Sequence, residues 1–279
     1  MSNTATRSDG TVTVDPGLHE LHSPSLYAVH SLFTAAPALN FPLRTIFVKL
    51  PENKLLIYSP TNPHLLDLEA VQALGEVTVI VAPNSVHSTY AQRTKAAFPN
   101  ATLYSSPALK HRFPQREWGT ILSTHVEVAE GVTLHCLSEM VPFQEIVVVH
   151  APSRTLILAD TAFNISRRTL RGAGIGVNLF VRLGRGLGPM QTSIPLMLMM
   201  LAYCSKSKPQ FEELLSMPWD NIVPCHGDVI EGTGKEAFRT GIYRFISSPA
   251  SQIATRVAPY VLLTSLAIIA VIAYSRFAK

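Results

Sequence analysis

The chain has 279 residues, 47% of them hydrophobic and 15% charged, and 23 Lys plus Arg against 19 Asp plus Glu give a formal net charge of +4. This composition excludes a disordered chain and provides for one large domain with a substantial core. The mild basic excess forms no long run, which argues against nucleic acid as a partner. Three cysteines without a CxxC spacing exclude a disulfide framework and point to a reducing compartment.

The opening "MSNTATRSDGTVTVDPG" is polar and lacks the apolar core of a secretory signal, so residues 1–43 are expected as a flexible arm and lead-in. From Arg44, "RTIFVKLPENKLLIYSP" places two aliphatic runs around Pro51-Glu52-Asn53, a hairpin that opens a main domain over 44–247. In "HLLDLEAVQALG" the leucines and Val71 fall at helical spacing before Gly75, and "VTVIVAPN" is a continuous apolar strand of the buried kind. Thr89 and Gln92 have capping-box spacing for a helix from Tyr90 to Phe98, and the strand "ATLYSS" follows Pro99-Asn100.

In the second half, "GVTLHCLS", "EIVVVH" and "TLILAD" read as strands, the last two as a hairpin over Glu145 to Ala159. The Gly- and Arg-rich stretch from Arg167 to Gly188 reads as a flexible lid or connector, and "SIPLMLMMLAYC" as a core helix too short to span a bilayer. "QFEELLSMPWD" reads as a helix, "NIVP" as a strand and "GKEAFRTGIYRFI" as an amphipathic helix. After a linker over 248–256, residues 257–275 ("VAPYVLLTSLAIIAVIAYS") carry no charge and lie between Arg256 and Arg276. They have the length and flanks of a C-terminal transmembrane helix acting as a tail anchor.

Chemistry in layered α/β domains gathers where strands end. Four strand ends carry suitable side chains: Asn84 with His87, His150, Asp160, and His226 with Asp228. Imidazole and carboxylate are ligands for zinc and similar ions. Each residue also has a structural reading, with His87 as a hydrogen-bonded core histidine and Asp160 and Asp228 as caps of the turns after them. His150, in a hairpin turn, is placed at the opposite edge.

The order of "VIVAPNSVHSTY", "FPNATLYSSPAL", "TLILADTAFN" and "IVPCHGDVIEGTGKEAF" resembles the metallo-β-lactamase superfamily, and within it a subfamily known as a domain of unknown function. The resemblance covers about Arg44 to Ser247 and implies a four-layer αββα sandwich with its site at one edge of two sheets. Asp160 matches the family's metal-bridging aspartate and His226 its last histidine ligand. His87 and Asn84 fall where active members carry HxHxDH, a motif broken here, and the middle histidine of the family would fall near Met140. The resemblance therefore implies at most one divalent metal, zinc by preference, on His87, Asp160 and His226, with Asp160 and Asp228 in catalytic roles.

Two functions stay open. One is a membrane-anchored hydrolase whose metal-bound water attacks an ester, lactone or thioester of a small-molecule substrate. The other is a catalytically degenerate member that binds a ligand or protein. The domain is expected to face the cytosol from the endoplasmic reticulum or the mitochondrial outer membrane.

Overall fold

The computed structural model describes residues 11–36, 39–140, 143–170, 173, 175–183, 187–192 and 194–247. Its first sheet takes strands in simple sequence order: β1 (Thr11–Glu20), β2 (Leu26–Ala36), β3 (Leu39–Leu50), β4 (Lys54–Tyr58), β5 (Glu76–Ala82), β6 (Thr102–Ser105) and β7 (Thr120–Ile121). Pairing is antiparallel from β1 to β4 and parallel from β4 to β7. The change occurs where α1 (Leu68–Leu74), α2 (Ala91–Ala97) and α3 (Pro107–Arg112) supply the crossovers that parallel neighbours need.

The second sheet contains β8 (His125–Ala129), β9 (Val132–Leu137), β10 (Glu145–His150), β11 (Thr155–Leu158) and, beyond a small ribbon of β12 (Phe163–Ile165) with β13 (Gly188–Gln191), strand β14 (Asn221–Pro224). The order is β14-β11-β10-β9-β8, and only β11 and β14 run parallel. The remaining helices are α4 (Ile175–Leu183), α5 (Ile194–Ala202), α6 (Cys204–Ser216), α7 (Gly234–Phe238) and α8 (Arg244–Ser247).

Strand alternation builds the layers. In β10, Ile146 and Val148 pack between the sheets with Val48, Tyr58 and Val81, whereas Val147 and Val149 face Phe211, Trp219 and Phe238 of the outer helical layer. On the far side, Phe47, Ile57 and Ile80 pack against Val71, Ala91 and Leu109 of α1 to α3. This is the expected four-layer αββα sandwich. It also explains why "EIVVVH" shows no polar alternation, because both of its faces are buried.

Four expectations differ. Within 1–43, expected as arm and lead-in, the described residues instead build β1, β2 and the start of β3. The Thr-Val-Thr-Val alternation of the edge strand carries the strand signal, and a bulge between Asp15 and His19 accommodates Pro16. The capping box of Thr89 and Gln92 is not made: α2 begins after Tyr90 without a side-chain cap, and Gln92 Nε2 donates to the carbonyl of Glu117 instead. The Arg167–Gly188 stretch contains helix α4, whose Val177 and Val181 pack with Leu170 against Phe41 and Ile165. Asp228, expected in the site beside His226, instead accepts from Arg168. The apolar run over 257–275 lies outside the described residues, and among the described residues no helix is long and apolar enough to cross a membrane.

Candidate metal centre

The ends of β4, β5, β11 and β14 and the beginning of β10 meet at one edge of the two sheets, and two cross-sheet bonds hold that edge. The Tyr58 hydroxyl donates to the carbonyl of Ile146 at 2.9 Å, and the N–H of Ile146 donates to Pro83 at 2.9 Å.

Beyond β5, Asn84 uses both ends of its amide. Its Oδ1 accepts from the N–H groups of Val86 (3.0 Å) and His87 (3.1 Å), closing a tight turn that turns His87 back over the edge. Its Nδ2 donates to Glu145 Oε2 (3.1 Å) and Asp160 Oδ2 (2.9 Å).

Glu145 is fully buried and organises the end of β11. Its carboxylate accepts from the N–H groups of Ala159 (2.8 Å), Asp160 (2.8 Å) and Thr161 (3.0 Å), so the backbone that carries Asp160 is tied to the start of β10. Burial and the charge of Asp160 push Glu145 upward in pKa, and the backbone donors oppose them.

After β14, Gly227 adopts φ +102°, and a Cβ there would lie 2.0 Å from the carbonyl oxygen of Asn164. Glycine is therefore required for the close approach that lets Asn164 N donate to His226 O at 3.1 Å and Asp228 N donate to Asn164 O at 2.8 Å. Arg44, 8% exposed, reaches across from β3 and donates to the carbonyls of Pro224 (2.6 Å) and Gly227 (2.8 Å), bracketing His226 on both sides.

His87, Asp160 and His226 converge, each offering a ligand atom such that all lie within 4.8 Å of one another. His87 Nε2 stands 3.1 Å from His226 Nε2 and 3.1 Å from Asp160 Oδ2, and His226 Nε2 stands 3.4 Å from Asp160 Oδ1. His226 Nδ1 donates to the carbonyl of Pro42 at 2.6 Å, which leaves its Nε2 a lone pair when the ring is neutral. Ser59 Oγ lies 2.7 Å from His87 Nδ1, so that nitrogen is engaged on the side away from the cluster. Ser59 has a left-handed backbone (φ 55°), a conformation uncommon for a non-glycine residue and often found at working sites.

Burial works against the charge of Asp160, yet His87 and His226 outweigh it and hold the carboxyl well below its ordinary range. For His87, burial favours the neutral ring, and Asp160 overcomes it to raise the imidazole pKa well above the usual value.

Asp228 does not join this group. Its Oδ1 accepts from Arg168 at 2.8 Å, and the turn at Gly227 carries it away from the two imidazoles. Although partly buried, it is held below the ordinary carboxylate range by Arg168 and Ser166, and the Arg168 guanidinium is its ion-pair partner. Met140 is buried in the helical-layer core, so no ligand stands in for the family's middle histidine there. His150 lies at the other end of β10, with Nδ1 2.6 Å from Ser153 Oγ. Arg44 and Ser59 act on the centre without the sequence having singled them out; Glu145, a glutamate at the head of an otherwise apolar strand, carries its own signal in the sequence.

Fold and site together define a metallo-β-lactamase fold, and comparison with solved structures shows the same. The metallo-β-lactamase FIM-1 from Pseudomonas aeruginosa in its mono-zinc form matches with a TM-score of 0.57 at 11% identity, over 88% of this chain and 97% of that one. The crystal structure of VMB-1 matches with a TM-score of 0.56 at 13% identity, over 88% of this chain and 99% of that one. The metal-soaked Flv1 flavodiiron core from Synechocystis matches with a TM-score of 0.52 at 10% identity; the alignment takes in 83% of this chain and 60% of the flavodiiron core. Residues 33–171 match the family model described as a domain of unknown function, DUF4336. No curated protein sequence matches the chain.

Proposed function

We propose that the chain is a membrane-anchored hydrolase of metallo-β-lactamase fold with a reduced, single-metal centre, acting on an ester, lactone or thioester bond of a small molecule. The observation that carries this reading is the convergence of His87, Asp160 and His226 on one point with both Nδ1 atoms engaged elsewhere.

The donor set fits zinc. Two ligands about 2.0–2.1 Å from a tetrahedral centre stand about 3.4 Å apart; here the two imidazole Nε2 atoms stand 3.1 Å apart, with one Asp160 oxygen 3.1 Å from His87 and the other 3.4 Å from His226. Two imidazoles and a carboxylate leave one position open, as in catalytic rather than structural zinc sites. A metal held there would supply an acidified water and would polarise a carbonyl. The chain's own residues orient the donors: Pro42 and Ser59 fix the rings, Asn84 holds Oδ2 of Asp160, and Glu145 anchors the strand end. The likeness to a mono-zinc lactamase and a metal-soaked flavodiiron core adds support for a metal.

The apolar run over 257–275 provides the anchor in this reading, with the domain facing the cytosol from the endoplasmic reticulum or mitochondrial outer membrane. The free, buried thiols of Cys136 and Cys225 agree with a reducing compartment.

One observation favours a second reading, a degenerate module that binds a ligand or protein. The same three side chains stand at contact distance, and the raised pKa of His87 describes an imidazolium satisfied by Asp160 without any cation. Metal analysis of the purified full chain beside His226→Ala separates the two. Loss of one equivalent of metal in the variant relative to the wild type is the expected result. A folded wild-type chain whose zinc uptake equals that of His226→Ala selects the binding module.

A further inference from the structure

A second set of donors lies away from the strand-end centre, on the outer edge of the second sheet. His125 on the edge strand β8 and His135 on β9 are direct cross-strand partners, so their side chains leave the same face of the sheet. Their rings stack with centroids 5.4 Å apart and planes at 29°. The neighbours of His135 in β9, Leu134 and Cys136, point the other way into the core between the sheets, so the histidine pair faces the helical layer. There, Glu213 of α6 completes the group. One ligand atom from each of His125, His135 and Glu213 lies within 4.8 Å of the others. The three residues line a cavity of about 360 Å³ together with Thr124, Gln210 and Leu214.

The cradle is built rather than accidental in its placement. Gln210, one turn before Glu213, donates to the carbonyl of Cys136 (3.3 Å) and to Ser138 Oγ (3.1 Å) and accepts from the N–H of Glu139 (3.1 Å). Leu214, next to Glu213, is buried in the helical-layer core. Helix α6 is thus pinned on both sides of the glutamate, and the carboxylate is held over a histidine pair fixed by strand register. Two imidazole nitrogens and one carboxylate oxygen form a borderline set that suits zinc and the late first-row divalent ions. Magnesium and calcium prefer all-oxygen surroundings.

We propose that His125, His135 and Glu213 form a second divalent transition-metal site, independent of the strand-end centre, that clamps the β8–β9 hairpin to helix α6. The solvent-exposed side at His125 and Glu213 leaves water to fill the remaining coordination position.

Zinc chloride titrated by calorimetry into the metal-stripped full chain, the His135→Ala variant and the Glu213→Gln variant tests this, with thermal melts recorded at each zinc level. The expected result is two binding events in the wild type, one at the strand-end centre that persists in both variants and one that disappears in His135→Ala and weakens by about tenfold or more in Glu213→Gln. Zinc should also raise the melting temperature of the wild type more than that of either variant. Glu213 is exposed, so Glu213→Gln keeps the fold should His135→Ala lose it. Superimposable zinc isotherms and equal zinc-dependent melts for wild type and Glu213→Gln would overturn the proposal, as would magnesium producing the same shift as zinc.

Discussion

The imidazole of His226 and the carbonyl of Pro42 meet at 2.6 Å, joining the loop after the last strand of the second sheet to a strand of the first. The ring's tautomer is therefore set by one sheet and its position by the other. The same division holds for the remaining donors, because His87 follows a first-sheet strand and Asp160 a second-sheet strand. The centre is a seam between sheets, and its geometry depends on groups that tie them.

Glu145 is the first of these. Replacing it with Gln sets an amide NH₂ against backbone N–H groups that now find a carboxylate, leaving buried donors unsatisfied. Glu145→Gln should lower unfolding stability by about 2–4 kcal/mol and weaken metal uptake, measured by urea denaturation and metal titration of the same samples. An unchanged stability would remove Glu145 from its organising role.

Gly227 gives a sharper steric case. Gly227→Ala forces a Cβ into the carbonyl of Asn164 and imposes a left-handed backbone on an alanine. The expected loss is about 2 kcal/mol or more, together with weaker metal binding because His226 is the adjacent residue. Gly232, with open space around it at φ +68°, serves as the control: Gly232→Ala should cost less and leave metal binding untouched.

His150 predicts a pH trend. Burial, with a contribution from His22, lowers its pKa to about 4, and its side chain is almost wholly enclosed. The unfolded chain then binds a proton near pH 6.5 that the folded chain refuses. Stability is full above pH 6.5, falls as pH drops toward 4 and loses about 3 kcal/mol in all from this residue. Urea midpoints of wild type and His150→Gln, compared between pH 7.5 and pH 4.5, should converge as pH falls. Parallel curves would show that His150 makes no such contribution.

The proposed anchor has its own measurement. Full-length protein should remain with membranes after carbonate extraction, and a chain ending before Val257 should move to the supernatant. Glycans at Asn100 or Asn164, which open the acceptor triplets Asn100-Ala-Thr102 and Asn164-Ile-Ser166, would contradict the cytosolic orientation.

Much of the fold was legible because strongly periodic or continuously apolar segments announce their state. "VTVIVAPN", "EIVVVH" and "TLILAD" became β5, β10 and β11, and the hairpin at Pro51-Glu52-Asn53 joins β3 to β4. The N-terminal strands were missed since β1 is a polar, bulged edge strand whose pairing with β2 is a tertiary fact. The convergence of His87, Asp160 and His226 was inferred from strand ends and resemblance. Asp228 stands outside the three-donor group because nearness in sequence to His226 says nothing about direction once a left-handed glycine intervenes. Arg44 and Ser59 were silent because their importance lies in contacts made far along the chain, such as Arg44 with Pro224.

The parallel partnership of β11 with β14, which places Thr155 opposite Asn221, also sets an order of assembly. During synthesis His87 and Asp160 leave the ribosome well before His226, which arrives only after α4, α5 and α6 have emerged. A nascent chain halted before β14 holds two donors out of three. Loading with an ion would thus report that the polypeptide has been translated through its last strand.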